Sequence, residues 1–395
     1  MASKRIPFLI MNTNVDTTAF LIGGAPSENT ALFHRIRFSA GDPAAWIRKP
    51  DGSSLLLIRD IEADRARRDA QVDEVSVPAD FIPEGGLSGD RGTATAQATA
   101  ECLRRLGMTK VVLDRSTPYI YAHHLEGAGL EVGYDEDLGV KDRRSKSAYE
   151  LEALRKAQSD TEAVMLSTLQ RIAHADIDAE GRLVDDEELM TSERVRGWID
   201  VALLELGYDN PGSIVAGGPD AFDCHAHGSG PLRTGEPVIV DIFPLSKSTG
   251  YNGDCTRTIV HGSISKEVHR MHAAVQAAKA AGVAAVRSGA TGEDVHRATI
   301  DVISGHGFEV GLPPKDAPSE WCGMVHGTGH GVGLQVHEPP LLDFKAPALV
   351  VGDVLTVEPG LYSAAIGGIR IEDMVAVTES GCENFNRLPE GLAWI

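Results

Sequence analysis

Apolar and polar positions in the first part of the chain switch between two periods. Leu55-Leu-Leu-Ile58, closed by Arg59, is a continuous apolar run of the kind that makes a short buried strand. Thr93 to Leu106 has helical spacing and stops at Gly107. Lys110-Val-Val-Leu-Asp114 predicts another strand, and Tyr119 to Glu126 another helix. This mixture predicts a small α/β domain over residues 1–144. His123 and His124 are adjacent on the predicted helix and point apart, so they read as an exposed face. The polar run Val140-Lys-Asp-Arg-Arg-Ser-Lys-Ser147 predicts a linker.

Ser147-Ala-Tyr-Glu150 is a capping box and should start a long helix running to about His174. A helix over Glu193 to Leu206 follows, closed by Gly207, then strands at Ser213 to Ala216, Val238 to Phe243 and Tyr251 to Val260. The pattern then restarts. Ser265 to Arg287 and Thr291 to Gly305 predict two helices. Strand-like stretches return at Gly331 to His337, Val354 to Glu358 and Gly368 to Val377. Two long helices followed by strands thus occur twice within residues 145–395.

Carboxylates follow the same repeat. Asp241 and Asp254 stand 13 apart, and Glu358 and Glu372 stand 14 apart. Asp241 to Glu358 is 117 residues and Asp254 to Glu372 is 118, as a duplicated unit with acids at equivalent places would give. Antiparallel pairing of 241 with 254 centres a turn on Lys247-Ser248 and sets the two Cβ atoms about 4.5–5.5 Å apart. That spans two metal ions separated by about 3.5–4 Å. An aspartate inside Val238-Ile-Val-Asp-Ile-Phe243 is costly unless paired or metal-bound, which disfavours a turn-capping role for Asp241. Pairing 358 with 372 centres the second turn near Ala365, with Asp373 on the opposite face. Four acids and His330 are hard or borderline donors suited to a pair of divalent ions.

The glycine-rich stretch Gly327-Thr-Gly-His-Gly-Val-Gly333 fails the GxGxxG spacing in every register and lacks the Gly-Lys-Ser/Thr of a phosphate loop. Its glycines fit close backbone approach around His330. His337-Glu-Pro-Pro-Leu is not HExxH, so a single-zinc protease helix is excluded. His225 and His227, in Cys224-His-Ala-His227, stay undecided on the residues alone.

Composition changes this picture little. The formal charge of −20 argues against nucleic acid or anionic membrane as partner. The five cysteines are odd in number, far apart and without CxxC spacing, so they predict neither a disulfide framework nor a zinc knuckle. For Cys224, Cys255 and Cys322, close to candidate site residues, packing is favoured over a thiolate nucleophile. The apolar run Ile6 to Met11 is too short for a secretory leader, and no stretch reaches a membrane span, so a cytoplasmic protein is expected.

Together, Asp254-Cys-Thr-Arg-Thr258, Gly329-His-Gly-Val-Gly-Leu-Gln-Val-His-Glu338, Thr356-Val-Glu-Pro-Gly360 and Gly368-Ile-Arg-Ile-Glu-Asp373 resemble the pita-bread metallopeptidases: methionine aminopeptidase, aminopeptidase P, prolidase and creatinase. The resemblance covers about residues 145–380, and the N-terminal stretch resembles the smaller domain of the prolidase and creatinase branch. It implies an α/β (α+β) architecture: a C-terminal pita-bread domain with pseudo-twofold halves after a smaller α/β domain. It implies that Asp241 chelates one metal, that Asp254 and Glu372 bridge two, and that His330 and Glu358 complete the second site. A water activated between the ions would attack the scissile carbonyl, with Glu358 as general base. His225 and His337 match histidines that contact substrate or the tetrahedral intermediate. His326 and Arg370 match supporting or substrate-contacting positions, and Tyr251 and Thr256 the site wall or its backing. The loop between Asp241 and Asp254 is longer than in many relatives, and Phe243-Pro244 and Cys224-His-Ala-His227 also depart from the pattern.

Manganese is the expected ion, with cobalt, zinc or iron as alternatives, and a homodimer is expected. The leading functional expectation is a dinuclear-metal hydrolase cleaving Xaa-Pro bonds of dipeptides or short peptides. The alternatives are C–N hydrolysis or elimination on a small non-peptide metabolite, or a non-catalytic binding module. The last predicts eroded ligands, and all five are present.

Overall fold

The computed structural model describes residues 17–394. The chain divides into two compact units, Met1–Arg143 and Arg144–Ile395. The apolar run Ile6 to Met11 lies outside the described residues.

The first unit is built on a six-stranded sheet in the order Glu74–Ser76, Ser54–Ile58, Ala44–Arg48, Thr18–Gly24, Lys110–Leu113, Glu131–Tyr134. The alternation of strand side chains explains why Leu55 to Ile58 is apolar throughout. Leu55 and Leu57 join the cluster on one face, with Ala45 and Ile47, while Leu56 and Ile58 join the cluster on the other, with Trp46. A strand covered on both faces needs this continuous run. Each of those side chains contributes about 1.5–3 kcal/mol by leaving water. The Arg91–Arg105 helix covers one face through Ala96, Ala100 and Leu103. It begins earlier than the periodicity predicts because Asp90 caps it, accepting from the Thr93 N–H. The polar run predicted as a linker contains a short helix, Lys141–Arg144. Arg143 is buried there, donating to the Gly139 carbonyl and to Thr30 Oγ1 at 2.9 and 3.0 Å.

In the second unit the capping box forms as predicted. Ser147 accepts from the Glu150 N–H, and Glu150 reaches back to the Ser147 N–H at 2.8 Å. The Ala148–Ala173 helix buries Leu154, Ala157, Thr161, Met165, Leu169 and Ile172, a stripe at three- and four-residue spacing. It precedes Ser192–Glu205 and a three-stranded antiparallel sheet of Ile214–Gly217, Pro237–Ile242 and Cys255–Val260. The helices Lys266–Ala285 and Gly292–Gly305 open the second repeat. Its strands include Gly329–Gly331, Glu338–Leu342, Val354–Val357 and Asp373–Val377, which share a five-stranded sheet with Cys382–Asn384. Gly360–Ser363 and Gly367–Arg370 form a hairpin in a neighbouring sheet.

Three local expectations are corrected. Asp241 pairs with Thr256, not Asp254. Residues 251–254 precede the Cys255–Val260 strand, so the predicted strand from Tyr251 starts late. Residues 332–337 are a bend between Gly329–Gly331 and Glu338–Leu342, not a strand. In that bend the Asn252 N–H and Nδ2 both donate to the Gly333 carbonyl, at 3.0 and 2.9 Å. That carbonyl therefore serves a neighbouring loop and not a sheet ladder. Among the described residues no helix is long and apolar enough to cross a membrane.

Candidate metal centre

The two hairpins deliver the acids. Asp241 lies on the central strand Pro237–Ile242, flanked by Ile214 on one side and Thr256 on the other. Asp254 stands directly before the Cys255–Val260 strand and lines the same cavity as Asp241. In the second repeat, Val357 pairs with Asp373 and Gly360 with Arg370. Both registers centre on residue 365, as predicted, and Glu358 and Glu372 occupy the break between the ladders. His330 enters on Gly329–Gly331. The flanking glycines have no room for side chains: a Cβ on Gly329 would stand 2.1 Å from the Thr356 carbonyl oxygen, and one on Gly331 2.5 Å from that of Glu338.

All five residues line one cavity of about 340 Å³. Donor atoms of Asp254, His330 and Glu372 lie within 4.8 Å of one another. His330 Nε2 is 3.3 Å from Glu358 Oε1 and 3.7 Å from Asp254 Oδ2. Asp254 and Glu372 are 3% and 2% exposed, so their charges have little access to water.

Burial and the neighbouring charges of Glu372, Asp241 and Glu358 push the Asp254 carboxyl well above its usual range. Burial and the charges of Glu358 and Asp241 do the same to Glu372, and Glu358 is also raised, chiefly by burial. Burial pushes His330 down to about 4, making its ring neutral. Its Nδ1 stands 3.2 Å from the Gly331 carbonyl and donates to it, which leaves the Nε2 lone pair facing the carboxylates. A lone pair and several carboxylates converging in one cavity repel one another unless a cation stands between them. The donor set, one nitrogen with carboxylate oxygens, fits divalent ions.

A second chain of contacts backs the acids. Arg370 donates from Nη2 to Asp241 Oδ2 at 2.7 Å, from Nη1 to Tyr362 Oη at 3.0 Å, and from Nε to Thr256 Oγ1 at 3.3 Å. Thr256 donates to Glu372 Oε2 at 2.8 Å. His326 Nδ1 faces the Gly327 carbonyl at 2.8 Å, so its Nε2 accepts from Tyr362 Oη at 2.7 Å. His326 and Arg370 thus line the cavity, while Thr256 supports Glu372 from behind. Tyr251 is buried outside the cavity lining and donates to Glu150 Oε1 at 2.6 Å. His225 and His337 line the cavity and are exposed, with the His337 ring edge-on to His330 at 4.2 Å between centroids. His227 packs by Nδ1 against the Ser213 carbonyl at 3.1 Å.

Sequence reasoning did not single out Tyr362. Its signal is period two: 360 and 362 share one strand face, and Gly360 leaves room for the phenol, since a Cβ there would stand 2.3 Å from Tyr362 Oη. The apolar wall from Ile214, Phe243, Val336 and Leu341 was likewise not assembled from sequence. The cysteines are all free. Burial pushes the thiols of Cys224 and Cys255 up, and that of Cys322 to about 11, so none is poised as a thiolate.

The profile of metallopeptidase family M24 matches residues 152–379, a span containing every candidate ligand. The chain belongs to metallopeptidase family M24. A probable dipeptidase PepE of Mycobacterium tuberculosis is 34% identical over 252 residues, covering 63% of this chain and 60% of that protein. The match therefore spans less than two thirds of that relative's length. The structure of an Xaa-Pro dipeptidase from Bacillus anthracis superposes with a TM-score of 0.77 at 23% identity, over 95% of this chain and 94% of that one. Dipeptidase PepE from Mycobacterium ulcerans gives 0.72 at 26% identity, over 95% and 92%. The M24 chain thus has the mixed helix-and-sheet, pita-bread architecture that its motifs imply.

Proposed function

We propose that this M24 protein is a dinuclear-metal-dependent peptidase that cleaves Xaa-Pro bonds of dipeptides or short peptides. The observation that carries the reading is the convergence of Asp254, Glu372, Glu358 and His330 Nε2 in one cavity. Asp241, Asp254, His330, Glu358 and Glu372 would hold two divalent ions. When bound, such ions polarise a carbonyl and make water nucleophilic near neutral pH.

The remaining work falls to the chain. Glu358 has a raised pKa and partial exposure, and would take a proton at Oε1 or Oε2 and pass it to the leaving amine. His225 and His337, on the exposed rim, would donate to the substrate carbonyl region. Arg370 holds Asp241, and Tyr362 orders His326. The apolar wall of Ile214, Phe243 and Val336 would receive the proline ring and exclude water. Manganese as the ion and a homodimeric, cytoplasmic protein extend this reading on the family resemblance, and oxygen-rich ligation supports manganese.

The test is a substrate panel on manganese-reconstituted protein: Xaa-Pro dipeptides and tripeptides, matched peptides without proline, and cyclic amides. Cleavage of the Xaa-Pro peptides in preference to the rest is expected. Turnover confined to cyclic amides, or none at all with metal bound, would sink the peptidase reading.

A further inference from the structure

Asp254 is buried, yet the sheet does not hold its backbone. The ladder between Pro237–Ile242 and Cys255–Val260 begins at Cys255, one residue too late. One side chain from the Ala148–Ala173 helix takes its place. The Asp254 N–H donates to Gln158 Oε1 at 2.8 Å, and Gln158 Nε2 donates to the Asp254 carbonyl at 2.6 Å. A carboxamide offers both the acceptor and the donor that this requires.

The grip continues beyond Asp254. Gln158 Nε2 also donates to Asn386 Oδ1 at 2.9 Å, and the same oxygen accepts from the Met374 N–H at 2.8 Å. Met374 follows Glu372 by two residues. Gln158 is fully buried and Asn386 6% exposed, so water does not substitute readily for these partners. The approach to the helix is close. A Cβ on Gly253 would stand 2.2 Å from Thr161 Oγ1 and 2.9 Å from the Ala157 carbonyl oxygen. Ala157, Gln158 and Thr161 form one helix face, and the chain before Asp254 is pressed onto it.

We infer that Gln158 is a positioning residue for the metal centre. It fixes the backbone of Asp254 where the sheet does not reach, and through Asn386 it ties that ligand to the strand following Glu372. This rests on Asp254 and Glu372 holding the ions as proposed above. Side chains that would hold an ion must be kept within about 0.5 Å of their working geometry. Groups that orient metal ligands typically cost about 10–100-fold in metal affinity when removed.

The experiment titrates metal-free protein with Mn²⁺ by calorimetry and compares the parent with Q158M and D254N. The thermal midpoint of each metal-free protein serves as the fold control. Q158M is expected to melt cooperatively and to bind Mn²⁺ about 10–100-fold more weakly than the parent. Q158M binding with the parent's stoichiometry and affinity, while D254N loses metal, would overturn the inference and leave the dinuclear reading standing. A parent that binds no Mn²⁺ would instead overturn that reading and this inference together. If Q158M does not fold, Q158E decides by the same titration. It keeps the volume and the acceptor but offers at most one O–H where the amide has two N–H groups, so it cannot serve both the Asp254 carbonyl and Asn386; the same weakening is expected and unchanged affinity overturns the proposal.

Discussion

Arg370 donates from Nη2 to Asp241 Oδ2 at 2.7 Å, while Asp241 Oδ1 is buried with no hydrogen-bond partner among the described residues. One oxygen is thus occupied by a permanent cation of the chain, and the other is left without a protein donor. The guanidinium also reaches Tyr362 Oη and Thr256 Oγ1, so a single planar group sets an aspartate, a tyrosine and the threonine that steadies Glu372.

Removing that guanidinium should be felt first in metal-free protein. R370M would leave the Asp241 carboxylate buried without its counter-ion, a change that typically costs about 3–5 kcal/mol. R370K should recover little, because an ammonium cannot reproduce three separate N–H directions. Chemical denaturation in EDTA measures the loss, and added Mn²⁺ should restore part of it. A loss below about 1 kcal/mol in EDTA would show that the pair does not hold the site together.

Metal dependence should itself depend on pH. In the metal-free fold, burial and mutual repulsion raise the carboxyls of Asp254, Glu372 and Glu358 above their unfolded values. Such groups favour the fold while protonated, below the unfolded carboxylate range. Their contribution is lost as pH rises through the raised folded values. Bound divalent ions reverse the preference by requiring the ionised forms. The gap in thermal midpoint between metal-loaded and EDTA-treated protein should therefore widen as pH rises from acid toward neutrality. Binding should also release protons, seen as a buffer-dependent heat in calorimetry. A gap that narrows with rising pH would contradict this.

The pairing of acids was legible because strand geometry has period two. Centring the first hairpin on Lys247-Ser248 placed the register two residues off, since Asp241 pairs with Thr256. An error of two keeps every side chain on its face, so Asp254 still reached the same cavity. The slip arose because the Asp254 backbone is held by the Ala148–Ala173 helix, a tertiary contact with no local signal. In the second hairpin the ladders run on both sides of Glu358 and Glu372, and the register was readable from sequence. The bend at 332–337 was not: its alternation resembles a strand, but the Gly333 carbonyl is claimed by Asn252 from another loop. The place of Tyr251 behind the lining was not readable for a similar reason, its partner Glu150 lying about 100 residues away in sequence.

The rim histidines should separate chemistry from metal binding. His337 and His225 line the cavity but contribute no atom to the Asp254, His330 and Glu372 cluster. H337A and H225A should each lower kcat/KM for an Xaa-Pro peptide by about 10²–10³, the typical loss of one donor acting on developing charge. Their Mn²⁺ stoichiometry should match the parent's. Rates within about threefold of the parent would assign these rings to the surface and not to catalysis.

The bend that carries His337 has its own anchor. Lys146 Nζ donates to Glu338 Oε1 at 2.7 Å, and both side chains are 2% exposed. Glu338 follows His337 directly, and Gly333 packs on its carboxylate, where a Cβ would stand 2.3 Å from Oε1. Lys146 is fixed in turn by its N–H to the Gly352 carbonyl at 3.2 Å. K146M would leave Glu338 buried beside the bend without this cation, at a cost of about 3–5 kcal/mol. Replacing both partners, as in K146M/E338L, removes the stranded charge and should recover most of that stability. Activity should not recover with it. Glu338 also fills the space under Gly333, and a leucine there has no polar atom to fix the bend, so His337 would lose its placement. The measurement is a denaturation series paired with kcat and KM on the same variants. Stability and kcat recovering together in the double variant would show that the ion pair serves the fold alone. Stability recovering while kcat stays low would place it in the support of His337.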